Sequence, residues 1–166
     1  MVALLNAFFA VVVDVVAAHH GWVNKFEGDG ALCVFGAPLA DRACAENALA
    51  AGRELAARLA EEIPELSAGI GVSAGGVVAG NVGAAERFEY TVIGDAVNEA
   101  SRLSELAKQR PGGLLASGSA LAQAPESERA RWCLEGEQTL RGRSRPTETA
   151  VPREYATVGE RALAGD

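Results

Sequence analysis

The sequence predicts an α+β sandwich: an antiparallel-rich sheet with helices packed on it. Three observations lead there. Segments with helical apolar spacing alternate with short β-type runs, several of those runs lie close enough in sequence to form hairpins, and no internal repeat or long linker divides the 166 residues. A chain of that length suits one domain with a real core.

The elements follow in order. Leu4, Leu5, Phe8, Phe9, Val12, Val15, Val16 and His19 recur at helical spacing, and Gly21 supplies a stop. Valines are poor helix formers, so burial must hold this helix together. The stretch from Val2 to Ala18 is apolar enough to suggest a signal or membrane segment, but it has no basic leader, and Asn6 and Asp14 interrupt it. It also falls short of the ~20 apolar residues a spanning helix needs, so a buried amphipathic helix is expected, with no membrane contact from this chain. Trp22 to Phe26 and Ala31 to Phe35 read as strands joined at Gly28-Asp29-Gly30, because Asp-Gly between β-type runs is a hairpin signal. A second helix starts near Asp41, an N-cap residue type, and ends at Pro64. Its apolar stripe is Ala45, Ala48, Leu49, Gly52, Leu55, Leu59 and Ile63.

Leu66, Ala68, Ile70 and Val72 alternate like a half-buried strand. Val77–Val78 and Tyr90–Ile93 are two further short strands around a glycine-rich connection. A third helix runs from about Asp95 to Lys108 and stops before Pro111. Leu114–Leu115 form a strand, followed by a short helix near Ser119. Trp132 to Leu140 and Thr147 to Val151 form a closing hairpin, and the last dozen residues have no clear pattern. Residues 1–152 are therefore read as the domain and residues 153–166 as a tail.

Charge removes one class of function. With 15 basic and 22 acidic side chains and a net charge of -7, the chain lacks the clustered positive charge of a nucleic-acid footprint. A nucleotide is still possible, since a few placed donors and a divalent ion suffice to hold one. Arginine dominates the basic residues, and Lys25 and Lys108 are the two lysines. Cys33, Cys44 and Cys133 are widely spaced, and neither they nor His19–His20 complete a zinc set. Reduced, mostly buried thiols in a cytoplasmic setting are expected.

Two motifs need weighing. Gly69-Ile70-Gly71-Val72-Ser73-Ala74 matches a loose dinucleotide fingerprint, which has meaning only between a strand and a helix start. Here Gly75-Gly76-Val77-Val78 follows, which is turn and strand chemistry. Gly28-Asp29-Gly30 is either a plain hairpin turn or a turn whose exposed carboxylate holds a divalent cation. On the third helix, Ala96, Val97, Ala100, Leu103 and Ala107 share one face, while Asn98 and Arg102 lie together on roughly the opposite one. That polar pair is either a solvated face or an amide and a guanidinium aimed jointly at a ribose and a phosphate.

Together these pieces resemble the class III adenylyl and guanylyl cyclases. Lys25-Phe26-Glu27-Gly28-Asp29-Gly30 and Val34-Phe35-Gly36-Ala37-Pro38 resemble the family's opening hairpin, Gly69 to Gly75 its central strand, and Val78 to Gly83 the turn after it. Tyr90-Thr91-Val92-Ile93-Gly94-Asp95-Ala96-Val97-Asn98-Glu99-Ala100-Ser101-Arg102-Leu103 resembles the family's signature almost throughout. The fold implied is the ferredoxin-like-derived α/β sandwich of that family. The reaction implied is attack of a ribose 3′-hydroxyl on the α-phosphorus of a nucleoside triphosphate, assisted by two Mg²⁺ or Mn²⁺ ions.

By the same resemblance Asp29 is a metal ligand, Lys25 and Thr91 contact the base, Asn98 orients the ribose, and Arg102 stabilises the transition state. Arg141 and Arg143 are triphosphate contacts. Guanine-specific relatives tend to carry a glutamate at the Lys25 position, so ATP is the expected substrate. The family's sites lie between protomers, which implies a two-fold homodimer. The family's domain opens with a strand that ends in another metal aspartate. This sequence starts inside the helix that follows it, and Asp14 sits mid-helix in a different context. An N-terminally shortened domain is expected, with a sheet lacking a central strand. An alternative function is a cyclase-like nucleotide-binding or dimerisation module with little or no turnover.

Overall fold

A computed structural model describes residues 1–84 and 86–156. Its elements run α1 (Val2–Ala18), β1 (Trp22–Glu27), β2 (Gly30–Val34), α2 (Cys44–Glu62), β3 (Ile70–Val72), β4 (Val78–Ala84), β5 (Arg87–Ile93), α3 (Asp95–Ala107), β6 (Leu114–Ser117), α4 (Gly118–Gln123), α5 (Glu126–Arg129), β7 (Trp132–Gln138) and β8 (Thr147–Pro152). The expected α+β sandwich is present. The tail beyond 156 lies outside the described residues.

The centre is a four-stranded sheet in the order β3-β6-β8-β7, with β3 and β6 parallel and the other pairs antiparallel. β6 is buried on both faces, as the consecutive apolar residues Leu114, Leu115 and Ala116 require. Leu114 and Ala116 pack on one side with Leu49 and Ala56 of α2, while Leu115 packs on the other with Leu103 and Ala107 of α3. Helices thus cover both faces of the sheet. α1 stacks on α2 through Val11 and Val15 against Ala51, Leu59 and Ile63. Removing a fully buried leucine such as Leu49 or Leu114 from this centre would cost about 2–5 kcal/mol.

Two antiparallel hairpins, β1–β2 and β4–β5, stand outside this sheet. Among the described residues β2 pairs only with β1, and β3 only with β6. Among the described residues the β1–β2 hairpin is therefore not hydrogen-bonded to the four-stranded sheet.

Several boundaries differ from the sequence reading for local reasons. The left-handed residue that ends α1 is His20 (φ 62°), ahead of Gly21. Asp41 lies before α2, where its carboxylate accepts from the Ala43 amide at 2.9 Å and the Asn47 amide group at 3.1 Å. It organises the entry turn without being the cap itself. Leu66 and Ala68 pack into the α1–α2 cluster as loop residues, and only Ile70–Val72 reach the sheet. The glycine-rich connection after Val78 is itself strand: β4 and β5 pair in unbroken register from Val78–Ile93 to Ala84–Arg87.

The glycines at β3, Gly71 within it and Gly69 just before it, explain the failed fingerprint. A Cβ on Gly71 would stand 2.1 Å from the Ala100 carbonyl oxygen, and one on Gly69 2.0 Å from that of Ser104. Gly-x-Gly here lets α3 lie directly on β3, and this close approach is what places α3 over the sheet.

Candidate active site

The candidate site residues come from four places: the β1–β2 hairpin, β5, α3 and the β7–β8 connection. β1 and β2 turn on Gly28 and Asp29, with Glu27 and Gly30 as the last pair. Gly28 takes φ 59° at the first central position, a geometry that favours glycine. Asp29 is thereby left exposed at the tip.

β1 contains a bulge. The register steps from Val23–Cys33 to Lys25–Leu32, so Asn24 is the extra residue. Bulges re-aim side chains, and this one turns Asn24 onto β5. The Asn24 amide donates to the Tyr90 carbonyl at 2.9 Å, and its oxygen accepts from the Thr91 hydroxyl at 3.2 Å. Trp22 supports the same junction. Its ring centroid lies 6.1 Å from that of Tyr90, and its indole donates to the Ala37 carbonyl. Asn24, the chain neighbour of Lys25, thus meets Thr91, 67 positions further on, where the two hairpins touch.

Lys25 is 2.8 Å from Glu27, its neighbour on the same strand face. The hydrogen bond to Glu27 raises the Lys25 pKa above its ordinary value, burial opposes it, and the field of Glu89 adds to the rise. The ammonium therefore stays charged at neutral pH. Thr91 is buried, 8% exposed.

Three residues after Thr91 the chain enters α3 through Gly94. The face of α3 carrying Leu103 and Ala107 is buried as the spacing predicts, and Asn98 stands exposed. Arg102 is one turn on, its guanidinium 3.0 Å from Glu105. Such an exposed pair is worth little, which leaves the guanidinium available to a stronger anion.

The two late arginines separate. Arg141 is exposed. Arg143 points inward, where its guanidinium meets Glu99, Asp95 at 2.5 Å and the Thr147 hydroxyl at 2.6 Å. Burial opposes its charge, and Glu99 and then Asp95 more than offset that, so its pKa is raised. Glu99 also accepts from Ser73 and from Thr147, and is 6% exposed. This network ties the end of β3, the first turns of α3, the β7–β8 connection and β8 into one unit. Glu99 and Asn24 are residues that the sequence reading missed. Glu99 sits inside the signature as an apparently solvated acid, and no local pattern marks a bulge at Asn24.

For a metal, the chemistry of the donor set decides. Among the described residues no three His, Cys, Asp or Glu side chains gather as a candidate cation site. Asp29 alone fits the protein's share of one magnesium ion, which usually takes one or two carboxylates and fills its shell with phosphate oxygens and water. No described helix is long and apolar enough to cross a membrane.

Comparison with known proteins fits this layout. Residues 1–149 match the family model of the adenylate and guanylate cyclase catalytic domain. An uncharacterised protein of Mycobacterium tuberculosis is 60% identical over 152 residues, and another from the same species is 58% identical over the same length. The chain spans about 28% of the length of those relatives. Among solved structures, a bacterial light-regulated adenylyl cyclase superposes with a TM-score of 0.79 at 23% identity, over 98% of this chain and 47% of that one, and so shares the fold. The guanylyl cyclase Cya2 superposes with a TM-score of 0.73 at 30% identity, over 90% of this chain and 78% of that one. The adenylyl cyclase CyaB from P. aeruginosa gives 0.73 at 24% identity, over 94% and 85%. The chain belongs to the class III adenylate and guanylate cyclase catalytic domains.

Proposed function

We propose that this domain is an adenylyl cyclase, converting ATP to 3′,5′-cyclic AMP and pyrophosphate. The observation that carries the reading is that Lys25 follows Asn24, which binds Thr91, so both candidate base contacts lie where the two hairpins touch. A charged ammonium can donate to a ring nitrogen of adenine, and a hydroxyl can accept from its amino group. Asn98 would hold the ribose. Arg102 would leave Glu105 for the phosphate and stabilise the pentavalent phosphorus as the 3′-oxygen bond forms and the bond to pyrophosphate breaks. Arg141, exposed on the β7–β8 connection, would meet the triphosphate, while Arg143 would act from behind by fixing α3. Asp29 would carry Mg²⁺ or Mn²⁺ on the triphosphate; a bound ion would lower the phosphate charge and favour ionisation of the 3′-hydroxyl.

A two-fold homodimer with shared sites fits the β4–β5 hairpin, where Val78, Val82, Phe88 and Ile93 are exposed.

A second reading, a nucleotide-binding or dimerisation module with little turnover, is favoured by one observation: among the described residues Asp29 belongs to no cluster of three or more metal-ligating side chains. Incubating the protein with ATP or GTP and Mg²⁺ or Mn²⁺, then separating products by chromatography, decides between them. Cyclic AMP from ATP is expected, lost in Arg102→Ala and Asn98→Ala, with Lys25→Glu lowering the preference for ATP over GTP. Folded protein that binds ATP without forming cyclic AMP establishes the second reading. Cyclic GMP as the main product refutes the adenylyl assignment.

A further inference from the structure

We infer that Asn24 is a specificity residue that acts through Thr91, fixing the direction of the Thr91 hydroxyl so that it accepts from adenine and cannot donate to guanine. The inference rests on the reading of Thr91 as a base contact.

The geometry leaves one hydrogen-bond pattern. The Tyr90 carbonyl can only accept, so the group 2.9 Å from it on Asn24 must be the amide nitrogen. The Asn24 oxygen then faces the Thr91 hydroxyl at 3.2 Å. An amide oxygen also only accepts, so Thr91 must donate its single proton to Asn24. What remains on the Thr91 oxygen is lone pairs. Thr91 is buried, so bulk water offers its proton little competition.

A base edge arriving at this oxygen must bring a hydrogen. Adenine presents an amino group at position 6, whereas guanine presents a carbonyl oxygen there, which would meet a second acceptor. A threonine free to rotate its hydroxyl would serve either base. The carbonyl of Tyr90, acting through the bulged Asn24, removes that freedom. Discrimination of this kind comes from a like-polarity clash with the wrong base as much as from the contact with the right one.

Two kinds of Asn24 variant separate polarity from mere support. Asn24→Asp keeps an acceptor for the Thr91 proton and loses the bond to Tyr90. Asn24→Leu keeps the shape and loses both, with Asn24→Ala as a smaller equivalent. Displacement of a fluorescent adenine nucleotide by ATP and by GTP gives the affinity ratio whether or not turnover occurs, and thermal melting confirms that each variant is folded. The wild type is expected to favour ATP. Asn24→Leu or Asn24→Ala is expected to reduce the ATP-to-GTP ratio by roughly three- to tenfold, the span of one neutral hydrogen bond. Asn24→Asp should keep the ratio within about twofold of the wild type, below the span of such a bond. In a Thr91→Val background Asn24→Leu should change nothing further.

An unchanged ratio in folded Asn24→Leu and Asn24→Ala overturns the inference and leaves the adenylyl reading standing. So does an Asn24→Asp variant that relaxes as far as Asn24→Leu, which would make Asn24 a support for Tyr90 alone. A wild type that favours GTP or fails to discriminate overturns the base-contact reading of Thr91, and this inference with it.

Discussion

Replacing Arg143 by alanine tests the network behind α3. The Glu99 carboxylate is almost fully enclosed, with Arg143, Ser73 and Thr147 as its partners. Without the guanidinium it keeps two hydroxyl donors and loses its charge partner in a site that water barely reaches. Breaking a buried pair from one side costs about 3–5 kcal/mol. The Arg143 side chain retains 17% exposure, so the lower end of that range applies, about 3 kcal/mol. Asp95 adds little, being 71% exposed at the same contact. A domain of this size holds about 5–15 kcal/mol in total, so the loss should be plain in equilibrium urea unfolding followed by tryptophan fluorescence, as a lower midpoint at unchanged slope. The paired replacement Glu99→Leu with Arg143→Met should be clearly less destabilised than Arg143→Ala alone, since no buried charge is left behind. A loss under about 1 kcal/mol in Arg143→Ala would mean that surface-like screening governs the pair and that the network does not hold α3.

Three further outcomes follow from the packing. Gly71→Ala would drive a methyl group into the Ala100 carbonyl and the Ser104 amide, both backbone, and should destabilise by about 3 kcal/mol in thermal melting. The control Gly76→Ala, where a Cβ meets nothing, should stay within about 0.5 kcal/mol, and equal effects would refute the close-approach argument. Glu128 receives a bidentate pair from Arg53 and the indole of buried Trp132, so Glu128→Ala should cost about 3 kcal/mol and Glu128→Gln, which keeps an acceptor, clearly less; identical melting points for the two would show that the carboxylate does not bind there as described. Burial pushes the Cys33 thiol from 9.0 up to about 11, so it should alkylate more slowly at pH 8.5 than a thiol in a denatured control. Because its folded pKa is raised, the stability it contributes is intact below pH 9 and lost as pH rises towards 11. Cys33→Ala should flatten that alkaline loss, and an unchanged alkaline unfolding curve would refute the assignment.

Part of the candidate site was legible without coordinates. Asn98 and Arg102 are four apart on one helix, so their shared exposed face follows from the helical period. Asp29 at an exposed hairpin tip follows from the turn preference of its neighbours. The spaced signature from Tyr90 to Leu103 named the family, and the core stripes of α2 and α3 were visible as periodic apolar residues. Arg143 was not legible. Its sequence neighbourhood, Leu140-Arg141-Gly142-Arg143, looks the same whether an arginine faces phosphate or a buried carboxylate 44 positions away.

Local patterns thus determined which segments are helix or strand, because period and turn chemistry act over a few residues. They also assigned the family, because its motifs are contiguous. The tertiary structure alone decided that Gly69 and Gly71 serve a helix crossing rather than a phosphate, and that among the described residues the β1–β2 hairpin stands outside the four-stranded sheet. It also decided that a bulge sends Asn24 across to Thr91. Each of these depends on which surfaces meet after the chain has closed long loops. That choice is set by the balance of burial and buried hydrogen bonding over the whole domain, which no short window of sequence contains.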